Sequence, residues 1–137
     1  NRILRLDIKY YDYTKFVNKE EISNGSYGNI SRANWNDSDT VMVLKSSYVS
    51  EIKEIVNEIK MQREVDYHEN IIKFYGISKL EMDKYMLVME YADGGTLQSY
   101  LEDNFEKLKW NDKYRLAYQL ANAVACMHNE GIIHCDL

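Results

Sequence analysis

Apolar residues recur along the chain with two different periods, and the switches between them predict its elements. From 17 to about 35 the pattern predicts strand, turn, strand, with Gly25 and Gly28 where a tight loop needs positive φ or close backbone approach. A second turn follows at Asn34-Trp35-Asn36-Asp37-Ser38-Asp39, dense in turn formers. Val41, Met42, Val43 and Leu44 are β-branched or large aliphatic residues suited to a half-buried pleated surface, and Lys45 ends that strand. The spacing then turns helical. Over 50 to about 67, Ile52, Ile55, Val56 and Ile59 form one stripe, Ser50 can cap the start, and Glu51 and Glu54 lie where the helix dipole favours them. Two further strands are predicted at 71–77 and 85–91, joined by a polar hairpin connection at 79–84. Asp93-Gly94-Gly95 breaks the second of these. Thr96 caps a short helix through Leu101, and a longer helix runs from about 111 to 129 with Leu116, Leu120, Val124 and Met127 along one side, stopped by Gly131. Residues 1–17 are rich in aromatics (Tyr10, Tyr11, Tyr13, Phe16) and predict a flanking, helical segment packed on the domain.

The totals narrow what this pattern can serve. A chain of 137 residues is long enough for one domain with a real core and too short for two. Hydrophobic residues at 45% and charged residues at 28% are ordinary globular values. A net charge of −5 argues against nucleic-acid binding, which needs a basic face. No apolar run reaches membrane-spanning length, and residues 1–7 lack the charged start, apolar core and cleavage site of a signal peptide. Cys126 and Cys135 show no metal-type pairing, so a reducing, cytoplasmic setting is expected. Cys126, His128, His134 and Cys135 match no usual zinc-ligand spacing, and Cys126 and His128 would point to different faces of a helix, so no metal site is expected there.

Lys45 carries the chemistry. A lysine ending a buried strand needs an opposite charge, because an unpaired buried charge is costly. Upstream lies Ile22-Ser23-Asn24-Gly25-Ser26-Tyr27-Gly28-Asn29-Ile30, a glycine-bearing hairpin able to fold over a phosphate. Downstream, Glu58 sits at the edge of the helical stripe and can point inward past it. Singly, these residues read as a surface lysine, a hairpin turn and a solvated glutamate. Together they are expected to form a clamp for a nucleoside triphosphate.

With these residues placed, the sequence closely resembles the eukaryotic protein-kinase catalytic domain over residues 16–137, with the motifs in the family's order. The hairpin corresponds to the glycine-rich loop, Met42-Val43-Leu44-Lys45 to the strand-lysine motif, and Glu58 to the helix glutamate. Leu87-Val88-Met89-Glu90-Tyr91-Ala92 is similar to the hinge between the two lobes, and Ile133-His134-Cys135-Asp136-Leu137 to the opening of the catalytic loop. Glu90-Tyr91 and Phe74-Tyr75-Gly76 resemble the tyrosine-kinase or tyrosine-kinase-like branch. Three residues depart from the pattern. Ser23 replaces the loop's first glycine, and Val43 replaces the usual alanine. Cys135 replaces an arginine, which puts activation through a loop phosphate in doubt, since cysteine cannot make that bidentate contact.

The resemblance implies an α+β, two-lobe fold: a flanking segment at 1–15, a five-stranded N-lobe with one helix at 16–91, and the hinge end with a truncated helical C-lobe at 92–137. It implies that Lys45 meets the α/β-phosphates and Glu58 holds it, and that Gly25, Ser26, Tyr27 and Gly28 cover the phosphates. Ile22, Ile30, Val43 and Met89 would sandwich the adenine, with Met89 as gatekeeper at the back. Glu90 and Ala92 would offer a backbone carbonyl and N–H to its edge. Thr96 would cap its helix or approach the ribose, and His134 would brace the loop. Asp136 would be the catalytic base for transfer of the ATP γ-phosphoryl group to a protein hydroxyl. ATP and Mg²⁺ are the expected cofactors, the metal-holding residues lying beyond Leu137. The chain is therefore expected to be a fragment, inactive alone, whose partners are ATP and a protein substrate, with neither nucleic acid nor membrane. Two other readings are a pseudokinase or ATP-binding signalling scaffold, and a pure interaction module.

Overall fold

The computed structural model describes residues 7–25, 28–36, 38–47, 52–81 and 84–133. Strands β1 (Tyr10–Tyr11), β2 (Phe16–Gly25), β3 (Gly28–Trp35), β4 (Val41–Ser47), β5 (Phe74–Glu81) and β6 (Lys84–Glu90) form one sheet in the order β1-β5-β6-β4-β3-β2. Helix α1 (Ile52–Val65) lies between β4 and β5 in sequence, and α2 (Leu97–Asp103) and α3 (Trp110–Asn129) follow the sheet. The fold is mixed α+β, and no described helix is long and apolar enough to cross a membrane.

Side-chain alternation along the strands gives the sheet two different faces. Leu44 stands between Ser31 and Val88, and Met42 between Ala33 and Glu90. Ala33, Met42, Leu44 and Val88 belong to a core with Tyr11, Phe16 and Met86, against which Tyr13 and Trp35 pack. The intervening rows, Ile30–Lys45–Leu87 and Arg32–Val43–Met89, face the other way. That face is covered by α1, whose Ile55, Val56 and Ile59 pack on Ile77 and Leu87. Ile59 is 0% exposed, and burying such a side chain is worth about 1.5–3 kcal/mol. The helical stripe read from the sequence is thus the surface that seats α1 and sets the direction of its neighbour Glu58.

The five strands expected are present as β2 to β6, and β1 adds a sixth at the edge. The helix expected in the opening segment is absent from its described part, which holds β1 and a single 3₁₀ turn at Tyr13–Lys15. Aromatic packing overrides helix formation here. Tyr11 meets Trp35 edge-on at 4.8 Å, Phe16 meets Trp35 at 4.9 Å, and β1 runs parallel to β5. Asp12 caps the 3₁₀ turn, its Oδ1 accepting from Thr14 N at 3.0 Å. β5 begins at Phe74 instead of 71. Side chains claim the backbone before it: Phe74 N donates to Asp66 Oδ1 at 2.6 Å, Lys73 N to Glu90 Oε2 at 3.0 Å, and Gln62 Nε2 to Ile72 O at 2.8 Å. Strand pairing extends through most of the hairpin connection, with Glu81 across from Lys84. The cap expected at Ser50 and the first-turn Glu51 lie outside the described residues.

Thr96 caps α2 as expected, accepting from Ser99 N at 3.1 Å. α3 starts at Trp110, where Lys109 N donates to Asp112 Oδ2 at 3.0 Å. Leu116 and Leu120 of α3 join Leu97, Leu101, Phe105 and Leu108 in an open apolar groove of about 490 Å³. The sheet side and α3 meet through Tyr67, whose hydroxyl accepts from Cys126 Sγ at 3.3 Å and donates to Glu130 Oε1 at 3.4 Å.

The attachment of β1 depends on Gly76. A Cβ there would collide with the Lys9 carbonyl oxygen and lie 2.9 Å from the Tyr11 ring. Gly76→Ala is expected to cost about 1–3 kcal/mol by overpacking, read in chemical denaturation, whereas Gly94→Ala, which meets nothing within 4 Å, leaves stability nearly unchanged.

Candidate nucleotide site

The site begins with the strand that presents Lys45 on the α1 face. Lys45 Nζ lies 2.6 Å from Glu58 Oε1, joining β4 to α1 over the expected partners. Their side chains are 40% and 37% exposed, so solvent screens the pair, and an ion pair this open adds at most about 1 kcal/mol to stability. Its consequence is positional. The ammonium is held at one point on the α1 face of the sheet, partly open to solvent.

The glycine hairpin lies beside it. Gly25 and Gly28 pair directly across the β2–β3 ladder, and Gly28 has φ 153°, a conformation that side-chain-bearing residues rarely adopt. Ser26 and Tyr27, between them in sequence, lie outside the described residues. Ile30 stands directly across from Lys45, and Val43 and Met89 occupy the next row on the same face, half-buried. Ile22 is placed differently from its partners. The pairing register shifts between Glu21 and Ser23, so Ser23 stands across from Ile30, while Ile22 is 49% exposed at the irregularity.

At the far end of β6, Glu90 turns to the opposite face, as alternation requires. Its N–H donates to Lys73 O at 2.9 Å and its carboxylate accepts from Lys73 N, which fixes the last peptides of the strand. Ala92 follows in an exposed, irregular segment. The Thr96 hydroxyl is engaged in capping α2 and donates to Ser99 Oγ at 3.1 Å. The described part of the chain thus brings together Gly25, Gly28, Ile30, Val43, Lys45, Glu58 and Met89 on one side of the sheet. Asp136, His134 and Cys135 lie outside the described residues.

A polar cluster at the edge of this face escaped sequence reasoning. Arg32 donates from Nε and Nη2 to Glu20 Oε2 at 3.0 and 2.7 Å, and from Nη1 to the Tyr91 hydroxyl at 3.2 Å. Glu20 first, then Tyr91, stabilise the guanidinium and raise its pKa above the ordinary arginine value. The available signal was an opposite-charge pair on facing strands, Glu20 and Arg32, visible only once the β2–β3 register is known. The described residues contain no cluster of three or more His, Cys, Asp or Glu side chains able to hold a metal, and Glu58 is engaged by Lys45. They do not by themselves fit Mg²⁺.

The sequence profile of the protein tyrosine and serine/threonine kinase family matches residues 16–137. The chain belongs to that family. Members of the family generally use ATP and Mg²⁺. Among its relatives, the kinase-family chain is 33% identical over 129 residues to a probable serine/threonine-protein kinase of Dictyostelium discoideum, covering 93% of this chain and 21% of the relative. It is 32% identical over 130 residues to mitogen-activated protein kinase kinase kinase 7 of Drosophila melanogaster, covering 94% and 18%. LIM domain kinase 1 of the same fly is 29% identical over 140 residues, covering 99% and 11%. The chain therefore spans about a fifth or less of the length of these curated relatives.

The openness of the ion pair separates its two roles. Glu58→Gln is expected to change unfolding stability by less than about 1 kcal/mol in urea titration, because the pair is screened and α1 is seated by its isoleucines. A loss above twice that would make the pair a fold-holding contact.

Proposed function

We propose that the protein transfers the γ-phosphoryl group of ATP to a protein hydroxyl, that of serine or threonine by similarity to the probable serine/threonine-protein kinase of Dictyostelium discoideum. The observation that carries this reading is the 2.6 Å Lys45–Glu58 pair on the sheet face beside the glycine hairpin. Lys45 neutralises charge on the α/β-phosphates, and Glu58 keeps the ammonium from swinging into solvent. Backbone N–H groups of residues 26–28 face phosphate oxygens, and Tyr27 covers the loop tip. Ile30, Val43 and Met89 enclose the adenine, with Ile22 reaching it only from the exposed irregularity of β2, and the adenine edge meets the Glu90 carbonyl and the Ala92 N–H.

Asp136 accepts the proton of the substrate hydroxyl as its oxygen attacks the γ-phosphorus and the bond to the ADP oxygen breaks. Catalysis by these residues is mostly positioning and charge neutralisation. Residues 16–91 form the upper lobe and 92–137 the hinge end and the start of the second, with 1–15 flanking. No step is assigned to Mg²⁺, because the described residues offer it no seat. A cytoplasmic setting, with ATP and a protein substrate as partners and neither nucleic acid nor membrane, fits the acidic balance and the free thiol of Cys126.

Two variants of the full-length protein test this reading. Lys45→Met keeps the fold, since its side chain is outside both cores, and lowers ATP affinity at least about tenfold in calorimetric titration. Unchanged affinity would remove the nucleotide assignment. Asp136→Asn lowers turnover by roughly 10²–10⁴-fold with ATP affinity nearly constant, and retained turnover would exclude it as the base.

A further inference from the structure

Arg32 stands outside the phosphate machinery but on the same face of the sheet. It is directly across from Val43, which is across from Met89, so one row runs from β3 through β4 to the end of β6, two residues before Tyr91. Along β3 it is four residues past Gly28, about 13 Å at the usual rise per residue, and so lies away from the hairpin that would cover phosphates. Its charge is engaged as well. Two of its nitrogens converge on Glu20 Oε2, while a third reaches the Tyr91 hydroxyl, with the guanidinium 5.6 Å from that ring's centre. A planar fork with several fixed donors can hold two partners at once, which a lysine cannot do.

We propose that Arg32 is a positioning residue for the base end of the nucleotide site: with Glu20 as its anchor on β2, it holds Tyr91 and thereby sets the two backbone segments on either side of it, Glu90 and Ala92, in the register a purine edge requires. This role rests on the nucleotide reading given above. It assigns the Glu20–Arg32–Tyr91 strap to recognition of the adenine moiety and leaves the phosphates to Lys45. The strap crosses the outer edge of the face from the first long strand to the hinge segment. The strap reaches Tyr91 from β3, whereas Glu90 on its other side is held by pairing with Met42 and by Lys73.

The two ends of the ligand can be probed separately. Adenosine and ATP affinities are measured by calorimetry on the full-length protein and its variants, with melting temperature as the check on folding. Arg32→Met is expected to weaken adenosine and ATP by the same factor, about 3–10-fold, the net worth of one modest hydrogen bond. Tyr91→Phe reproduces most of that loss without touching the charge pair, and the double variant adds little to either single one. Arg32→Lys behaves like Arg32→Met. Lys45→Met, by contrast, weakens ATP and spares adenosine. Adenosine affinity unchanged in both Arg32→Met and Tyr91→Phe overturns the proposal, as does a loss confined to ATP or full retention in Arg32→Lys. If the unaltered protein binds neither adenosine nor ATP, the nucleotide reading itself fails and the strap's role falls with it. A loss of the Lys45→Met effect alone would count against the phosphate assignment and leave that of the strap standing.

Discussion

The parity of β4 is the constraint on which the rest depends. Met42 and Leu44 must enter the aromatic-rich core, and alternation then sends Val43 and Lys45 to the opposite face. A slip of one residue would exchange the two sets. It would drive the lysine charge into the layer formed by Phe16, Ala33 and Val88 while exposing two large apolar side chains. The register is therefore held by hydrophobic burial, and the position of the ammonium is its by-product. The same parity operates across the ladder, where Ile30 and Leu87 flank Lys45, and Arg32 and Met89 flank Val43.

Because burial fixes the strand and the helix independently, the ion pair between them need not hold the fold together. Ile55, Val56 and Ile59 seat α1 on Ile77 and Leu87, and Glu58 arrives opposite Lys45 as the polar edge of that stripe. An open pair suits a binding site better than a sealed one. A fully desolvated lysine and glutamate would resist separation and exclude an incoming anion, whereas this pair keeps the ammonium ordered yet reachable. Its weakness in stability terms would be a condition of the proposed phosphate contact.

What could be read from sequence follows from the same physics. The strand ending at Lys45 and the helix carrying Glu58 were legible because each repeats one period over enough residues, with apolar side chains on a single face. The start of β5 was not, since Asp66, Gln62 and Glu90 take backbone groups at 72–74 from the ladder, and each of these bonds joins residues eight or more positions apart. The opening segment carries clustered aromatics without a clear period, which by themselves specify neither a helix nor a strand. Trp35 decides between them, through a contact no local pattern contains. The Glu20–Arg32–Tyr91 cluster was hidden for a related reason. Its members are ordinary surface residues until the β2–β3 register and the end of β6 bring them together.

The two halves of the chain are unequal in how completely they bury their apolar surface. Both sheet faces have closed cores, with Leu44, Ile59 and Val88 almost fully buried. In α2, α3 and the segment between them, by contrast, Cys126 is the only buried residue described, and Leu97, Leu101, Leu120 and Phe105 remain substantially exposed. Cohesion among the described residues therefore resides in the sheet and α1, which also carry Lys45, Glu58 and the glycine hairpin. The geometry that would bind phosphate is set by that better-packed half. It depends on the helical half only through contacts such as Tyr67 with Cys126 and Glu130, and through the short segment after Glu90. A strap reaching Tyr91 from β3 is then placed where it matters most, at the junction where the well-packed sheet hands the chain to its less buried continuation.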